Sequence, residues 1–153
     1  MNDDSYQLTL ARRIAHREHD GQFDKAGEPY IRHPEAVAAR LAGHPRRQAM
    51  ALLHDVPEDT PATIDMLRAE GVAEDILTVV EALTHRGNEP REDYNRRVLA
   101  AGDNAVAVKV ADILENDDPV RLARLDGDTR RRLGAKYAKA RRFFGIPERK
   151  DAS

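Results

Sequence analysis

"AVAVKVADIL", residues 105–114, decides the fold class. Val106, Val108 and Val110 alternate, which is the spacing of a half-buried strand. The same segment places Val106, Val110, Ile113 and Leu114 on one helical face, runs on to Asn116 and is rich in Ala. No other part of the chain offers a plausible strand partner, so a helix is predicted. Working outward, the 3.6-residue period recurs in Ala49, Leu52, Leu53 and Val56, and again in Ile76, Val79, Val80 and Leu83. "HPEAVAARLAG" carries Pro34 at an expected first helical position and Gly43 near its end. Thr63, or the Thr60-Pro61 pair, can open "TIDMLRAEG", which Gly71 closes. "REDYNRRVLAAG" and "RRRLGAKYAKARRFF" complete an all-α pattern. The two long irregular stretches are "DGQFDKAGEPY" and "HRGNEPRED", and such loops often carry function.

Length and composition bound the rest. A chain of 153 residues suits a single domain over 1–153 and is too short for two ordinary ones. With 41% hydrophobic and 34% charged residues it reads as a folded helical protein rather than a disordered one. The absence of Cys removes disulfides, thiolate metal sites and cysteine nucleophiles. The start, "MNDDSYQLTL", reads as neither a signal nor a transit peptide, and no apolar run approaches a membrane span, so a cytoplasmic protein is expected. The net charge of −2 hides an asymmetry: residues 121–150 hold eleven Lys/Arg against three Asp/Glu. That basic end is expected to be a solvated final helix with cations near its negative dipole end, because no nucleic-acid motif accompanies it.

The chemistry concentrates in "LLHDVPEDT", residues 52–60. His54-Asp55 follows Leu52-Leu53 and so leaves a core face, whereas a second pair, His19-Asp20 before Gly21, reads as an exposed helix end. Neighbours on a helix project about 100° apart, so His54 and Asp55 need further ligands from elsewhere. His33, expected at an N-cap before Pro34, is one candidate. Asp112, expected on the polar flank of its helix with Asn116 one turn later, is another. Singly, each residue is as readily a cap or a hydrogen-bonded side chain. Together, H…HDxxED…DxxxN describes a two-imidazole, two-carboxylate site, a donor set that suits Mn²⁺, Fe²⁺ or Zn²⁺ better than Mg²⁺ or Ca²⁺. A divalent ion there makes phosphoester hydrolysis the natural chemistry, with Glu58 and Asp59 to orient water or move its proton.

The blocks "AHREHDGQFDKAGEPYIRHPEAVA", "ALLHDVPEDT", "EALTHRG" and "VKVADILEN" resemble, in order, the hydrolase half of RelA/SpoT-type proteins in the HD phosphohydrolase superfamily. The resemblance covers about residues 6–142. It implies an HD-domain helical bundle with one Mn²⁺ per chain, and removal of the 3′-pyrophosphate from guanosine tetra- or pentaphosphate, the alarmones of the stringent response. Matched by position, it implies metal binding by His33, His54, Asp55 and Asp112, and water and proton handling by Glu58 and Asp59. It places Asn116 beside metal and substrate, and Lys25 and Tyr30 against the nucleotide. Tyr137 can pack on base or sugar, with Lys136 or Lys139 supplying cations. No counterpart of the synthetase half is visible, so a stand-alone small alarmone hydrolase is expected. The chain departs from the family pattern at Asp24, where a basic residue is common, and at Leu114, Glu115 and Asp118. These departures predict a less cationic pocket. Alternative readings are an HD hydrolase for another phosphorylated nucleotide and an idle HD fold that senses nucleotides.

Overall fold

The computed structural model describes residues 2–147, so Met1 and residues 148–153, with the last three charges of the basic end, lie outside the described residues. The described residues form an all-α bundle, as expected, with one isolated bridge between Phe23 and Pro29. Its helices are α1 (Asp3–Glu18), α2 (Arg32–Ala39), α3 (Pro45–Leu53), α4 (Val56–Asp59), α5 (Ile64–Ala69), α6 (Glu74–Leu83), α7 (Arg91–Ala100), α8 (Asp103–Asn116), α9 (Pro119–Ala123) and α10 (Gly127–Phe144).

Helix α3 is the axis of the fold. Ala49, Met50, Ala51, Leu52 and Leu53 are each 0% exposed, so its second half is buried all round rather than along one stripe. It packs on α1, α2, α6 and α8, and α1 contributes Leu10, Ala11, Ile14 and Ala15 to the same core. The C-terminal end of α3 therefore delivers His54 and Asp55 to the centre of the molecule.

The helical reading of residues 105–114 holds, but the buried face differs from the expected one. Ala105, Val108, Ala111, Asp112 and Ile113 turn inward, while Val106, Val110 and Leu114 are half-buried. Asp112 thus lies on the core face of α8, not on its polar flank. The small Ala side chains let α8 approach α2 and α3 closely, which the wider Val stripe does not. Two other expectations change. Helix α2 starts before Pro34: the N–H groups of Arg32 and His33 donate to the carbonyls of Pro29 and Tyr30 at 3.1 and 2.9 Å, so the N-cap is Ile31 and His33 sits inside the first turn. His19 is 1% exposed, packed under the 20–30 loop, so only Asp20 of that pair is at the surface. Thr63 caps α5 through the N–H of Met66, as expected.

Candidate metal centre

Three helix ends and one helix face meet at the centre. His54 closes α3 and Asp55 precedes α4, so the pair sits at the junction of the two helices. His33 comes from the first turn of α2 and Asp112 from the core face of α8. His33 Nε2 lies 2.9 Å from Asp112 Oδ1 and 3.9 Å from Asp55 Oδ2. His54 Nε2 lies 3.1 Å from Asp55 Oδ2 and 3.4 Å from Asp112 Oδ1. Bonds of about 2.1 Å to one shared ion set separations of this size between adjacent ligands. The four residues expected from sequence are therefore brought together.

The outer contacts orient these groups for a cation. His54 Nδ1 lies 2.5 Å from the carbonyl of Ala51, which can only accept, so Nδ1 carries a proton and Nε2 is the nitrogen that faces the carboxylates. Among the described residues, no hydrogen-bond partner satisfies buried His54 Nε2 or His33 Nδ1. Tyr30 donates its hydroxyl to Asp55 Oδ2 at 2.5 Å, and Asn116 Nδ2 donates to Asp112 Oδ1 at 3.1 Å. Burial pushes Asp55 up, yet His54 more than offsets this and holds its carboxyl at about 2. Asp112 is likewise pulled well below the carboxylate range, against burial, by Lys109 and the two imidazoles. Burial lowers His54, but Asp55 and Asp112 outweigh it and raise the imidazole above its ordinary value. Two ionised carboxylates and an unpartnered imidazole nitrogen aimed at one buried point fit a divalent ion.

Glu58 and Asp59 stand one turn beyond, in α4, and each is held by one of the two irregular loops. The N–H of His85 donates to Glu58 Oε1 at 3.2 Å. Gln22 Nε2 donates to the Asp59 carbonyl at 2.9 Å, and Gln22 Oε1 in turn meets His19 Nδ1 at 2.8 Å. Arg97 secures the 84–90 loop by donating to the carbonyls of Ala82 and Thr84 and to Glu89. Both carboxyls are raised, by burial first and by Asp55 second.

These groups line a cavity of about 1050 Å³ to which α10 also contributes. Lys25, Tyr137, Lys136 and Lys139 line it, as does Asn116. Tyr30 also lines it, although its hydroxyl is spent on Asp55 and its ring packs between His19 and His33 at 4.9 and 5.9 Å. Lys109, Arg91, Arg121 and Arg142, which sequence reasoning missed, add cations to the wall. Lys109 Nζ meets Asp112 Oδ2 at 3.3 Å, and its place three residues before Asp112 was the available signal. Burial, together with Arg91, Lys109 and Lys25 around it, lowers the pKa of Lys136. The basic final helix is thus more than a solvated face.

Of the three acids expected to make the pocket less cationic, two turn away from it. Glu115 pairs with Arg40 at 2.8 Å, and Asp118 caps α9 through the N–H groups of Val120 and Arg121. Neither lines the cavity among the described residues. Asp24 does, but its Oδ1 accepts from the N–H groups of Ala26 and Glu28, both at 2.9 Å, and its Oδ2 faces Arg121 at 3.8 Å. It is a staple of the 20–30 loop. Asp24→Asn keeps the accepting oxygen and should retain wild-type protection of residues 22–30 in hydrogen exchange. Asp24→Arg should lose that protection and weaken, not improve, nucleotide binding. Equal exchange in the two variants would remove the staple role.

No protein-family model matches the chain. The chain is 39% identical over 132 residues to the guanosine-3′,5′-bis(diphosphate) 3′-pyrophosphohydrolase of Haemophilus influenzae, covering 78% of this chain and 19% of that protein. It is 34% identical over 143 residues to the bifunctional (p)ppGpp synthase/hydrolase SpoT of Escherichia coli, covering 86% and 20% respectively. The chain thus spans about a fifth of the length of these curated relatives. Among solved structures, a metazoan ortholog of SpoT that hydrolyzes ppGpp superposes with a TM-score of 0.67 at 19% identity, covering 92% of this chain and 97% of that one. That likeness shows a shared fold. No helix among the described residues is long and apolar enough to cross a membrane.

Proposed function

We infer the function of this chain from the family to which it belongs, the RelA/SpoT-type HD hydrolases: it is a metal-dependent phosphohydrolase that removes the 3′-pyrophosphate from guanosine 3′,5′-bis(diphosphate)-type nucleotides. The observation that carries this reading is the His33, His54, Asp55 and Asp112 centre in the wall of a cavity that Lys25, Lys109, Lys136 and Lys139 also line. We assign Mn²⁺ as its ion, since mixed imidazole and carboxylate donors suit it. A bound divalent ion supplies Lewis acidity toward phosphate oxygens and acidifies water.

The protein's own groups account for the rest. Glu58, lifted above the ordinary Glu value by burial and by Asp55, is suited to take a proton from water and return it to the leaving alkoxide. Asp59 beside it serves the same water. Asn116 holds Asp112 Oδ1 with its amide N–H and lines the cavity. Lys25, Lys136 and Lys139 offer ammonium groups to phosphates, and Lys136 gains most from an anion because its cationic neighbours are then compensated. Tyr137 walls the sugar side. A nucleotide substrate of this kind points to the cytoplasm as the setting.

The test is direct. Metal-loaded protein is incubated with a nucleotide panel that includes guanosine tetraphosphate, and products are separated by chromatography. The expected products are GDP and pyrophosphate, formed by wild type and not by His54→Ala. An intact guanosine tetraphosphate beside another nucleotide cleaved in a His54-dependent way would replace the substrate assignment.

A further inference from the structure

We propose that Phe23 is the base-stacking residue of this cavity: a planar nucleobase lies against its ring while the phosphates extend toward the metal centre. The proposal rests on the reading that the site takes a nucleotide, and it assigns which side chain meets the base.

Phe23 lines the cavity and is nonetheless 67% exposed, more than any other large apolar side chain among the described residues. Among those residues its ring stacks on no other ring and carries no cation over its face, whereas the other aromatic walls are engaged. Tyr30 is spent on Asp55, Tyr137 lies under its neighbour Lys136 at 5.8 Å, and Phe143 packs on Phe144 at 4.9 Å. Set at the cavity wall, this free ring can bury its face against a flat ligand, which is favourable.

The backbone beneath the ring is built rigidly. The N–H of Asp24 donates to the carbonyl of Glu28 at 2.8 Å, and that of Tyr30 donates to the carbonyl of Gln22 at 2.8 Å. Asp24 Oδ1 closes the loop tip from inside, and Phe23 itself bridges to Pro29. Gln22, next to Phe23, is tied to both His19 and Asp59. A ring held on such a frame stacks on a base with little further ordering cost. Flat aromatic contact tolerates any base, so Phe23 supplies affinity for nucleotides over simple phosphates and leaves the choice of base to other groups.

The chain has no Trp, which makes Phe23→Trp a single-tryptophan reporter when excited beyond the absorption of its four Tyr. It is titrated with GDP, with guanosine tetraphosphate and with inorganic pyrophosphate, and binding of each is followed in parallel by calorimetry. Quenching by GDP and guanosine tetraphosphate, with emission unmoved by pyrophosphate, is the expected result. In the same series Phe23→Ala should raise the KM for the nucleotide cleaved best by roughly tenfold, the scale of one base–aromatic stack, with a much smaller change in kcat, and Phe23→Tyr should restore it. A KM unchanged in Phe23→Ala, calorimetric binding of GDP without any change in emission, or no binding of either guanosine nucleotide overturns the proposal. Quenching by GDP in a protein that cleaves no nucleotide keeps the stack and discards the hydrolase reading, so the two failures are separate.

Discussion

His54→Ala and Asp55→Ala should each lose the bound metal, reducing metal content from one ion per chain to near zero and abolishing hydrolysis. Both residues sit at the junction of α3 and α4, where a side chain cannot swing away because Leu52, Leu53 and Val56 around it are fully buried. Removing Asp55 also strands the Tyr30 hydroxyl, and removing His54 leaves Asp55 and Asp112 facing each other with one imidazole fewer. Metal analysis of purified variants decides the matter, with far-ultraviolet circular dichroism to show that the bundle persists. The milder Tyr30→Phe should retain the site and weaken metal affinity about 10–100-fold, the usual cost of an outer partner. Asp20→Ala, at the surface, is the control and should leave metal content alone. Full metal content in either ligand variant would sink the assignment.

Glu58→Gln should behave in the opposite manner, keeping the metal while kcat falls by roughly 10²–10⁴-fold, the range for a positioned acid–base group. Glu58 is anchored by the N–H of His85 at the cavity edge and does not enter the His33, His54 and Asp55 cluster. Its pKa is raised, chiefly by burial and then by Asp55 and Asp59. As a base it works only when ionised, so wild-type activity should be lost as pH falls through that raised value. The acid limb of the pH–rate profile should therefore sit above the ordinary Glu value and vanish in Glu58→Gln. An active Glu58→Gln enzyme with an unchanged limb would transfer the role to Asp59, whose pKa is also raised by burial and by Asp55.

Much of this protein was legible in the chain alone. The 3.6-residue period named the helices around Leu52, Val80 and Val108, because burying one stripe of a helix leaves a periodic trace. The spacing of His33, His54-Asp55 and Asp112 pointed to side chains that the fold gathers, because clustered ionisable residues beside core positions are too costly without a common partner. The two irregular stretches set apart in the sequence both reach α4, where the N–H of His85 donates to the Glu58 carboxylate and Gln22 donates to the Asp59 carbonyl.

Tertiary structure decided the rest, and for one recurrent reason: a side chain's partner is set by packing, not by its neighbours in sequence. Asp24, Glu115 and Asp118 look like lost cations in a string of letters, yet packing turns them to a loop tip, to Arg40 and to a helix cap. His19 looks exposed because it ends a helix, and it is buried because the 20–30 loop folds over it. Asp112 looks polar-flanked because Val outranks Ala in apolar weight, while close helix approach favours the Ala face that carries it inward. Composition and period determine which helices form and which residue types can hold a metal. Which carboxylates remain free to meet a ligand is settled only by the approach of α2, α8 and α10 around the end of α3, because an ion pair or cap is made between groups that the fold alone brings within reach.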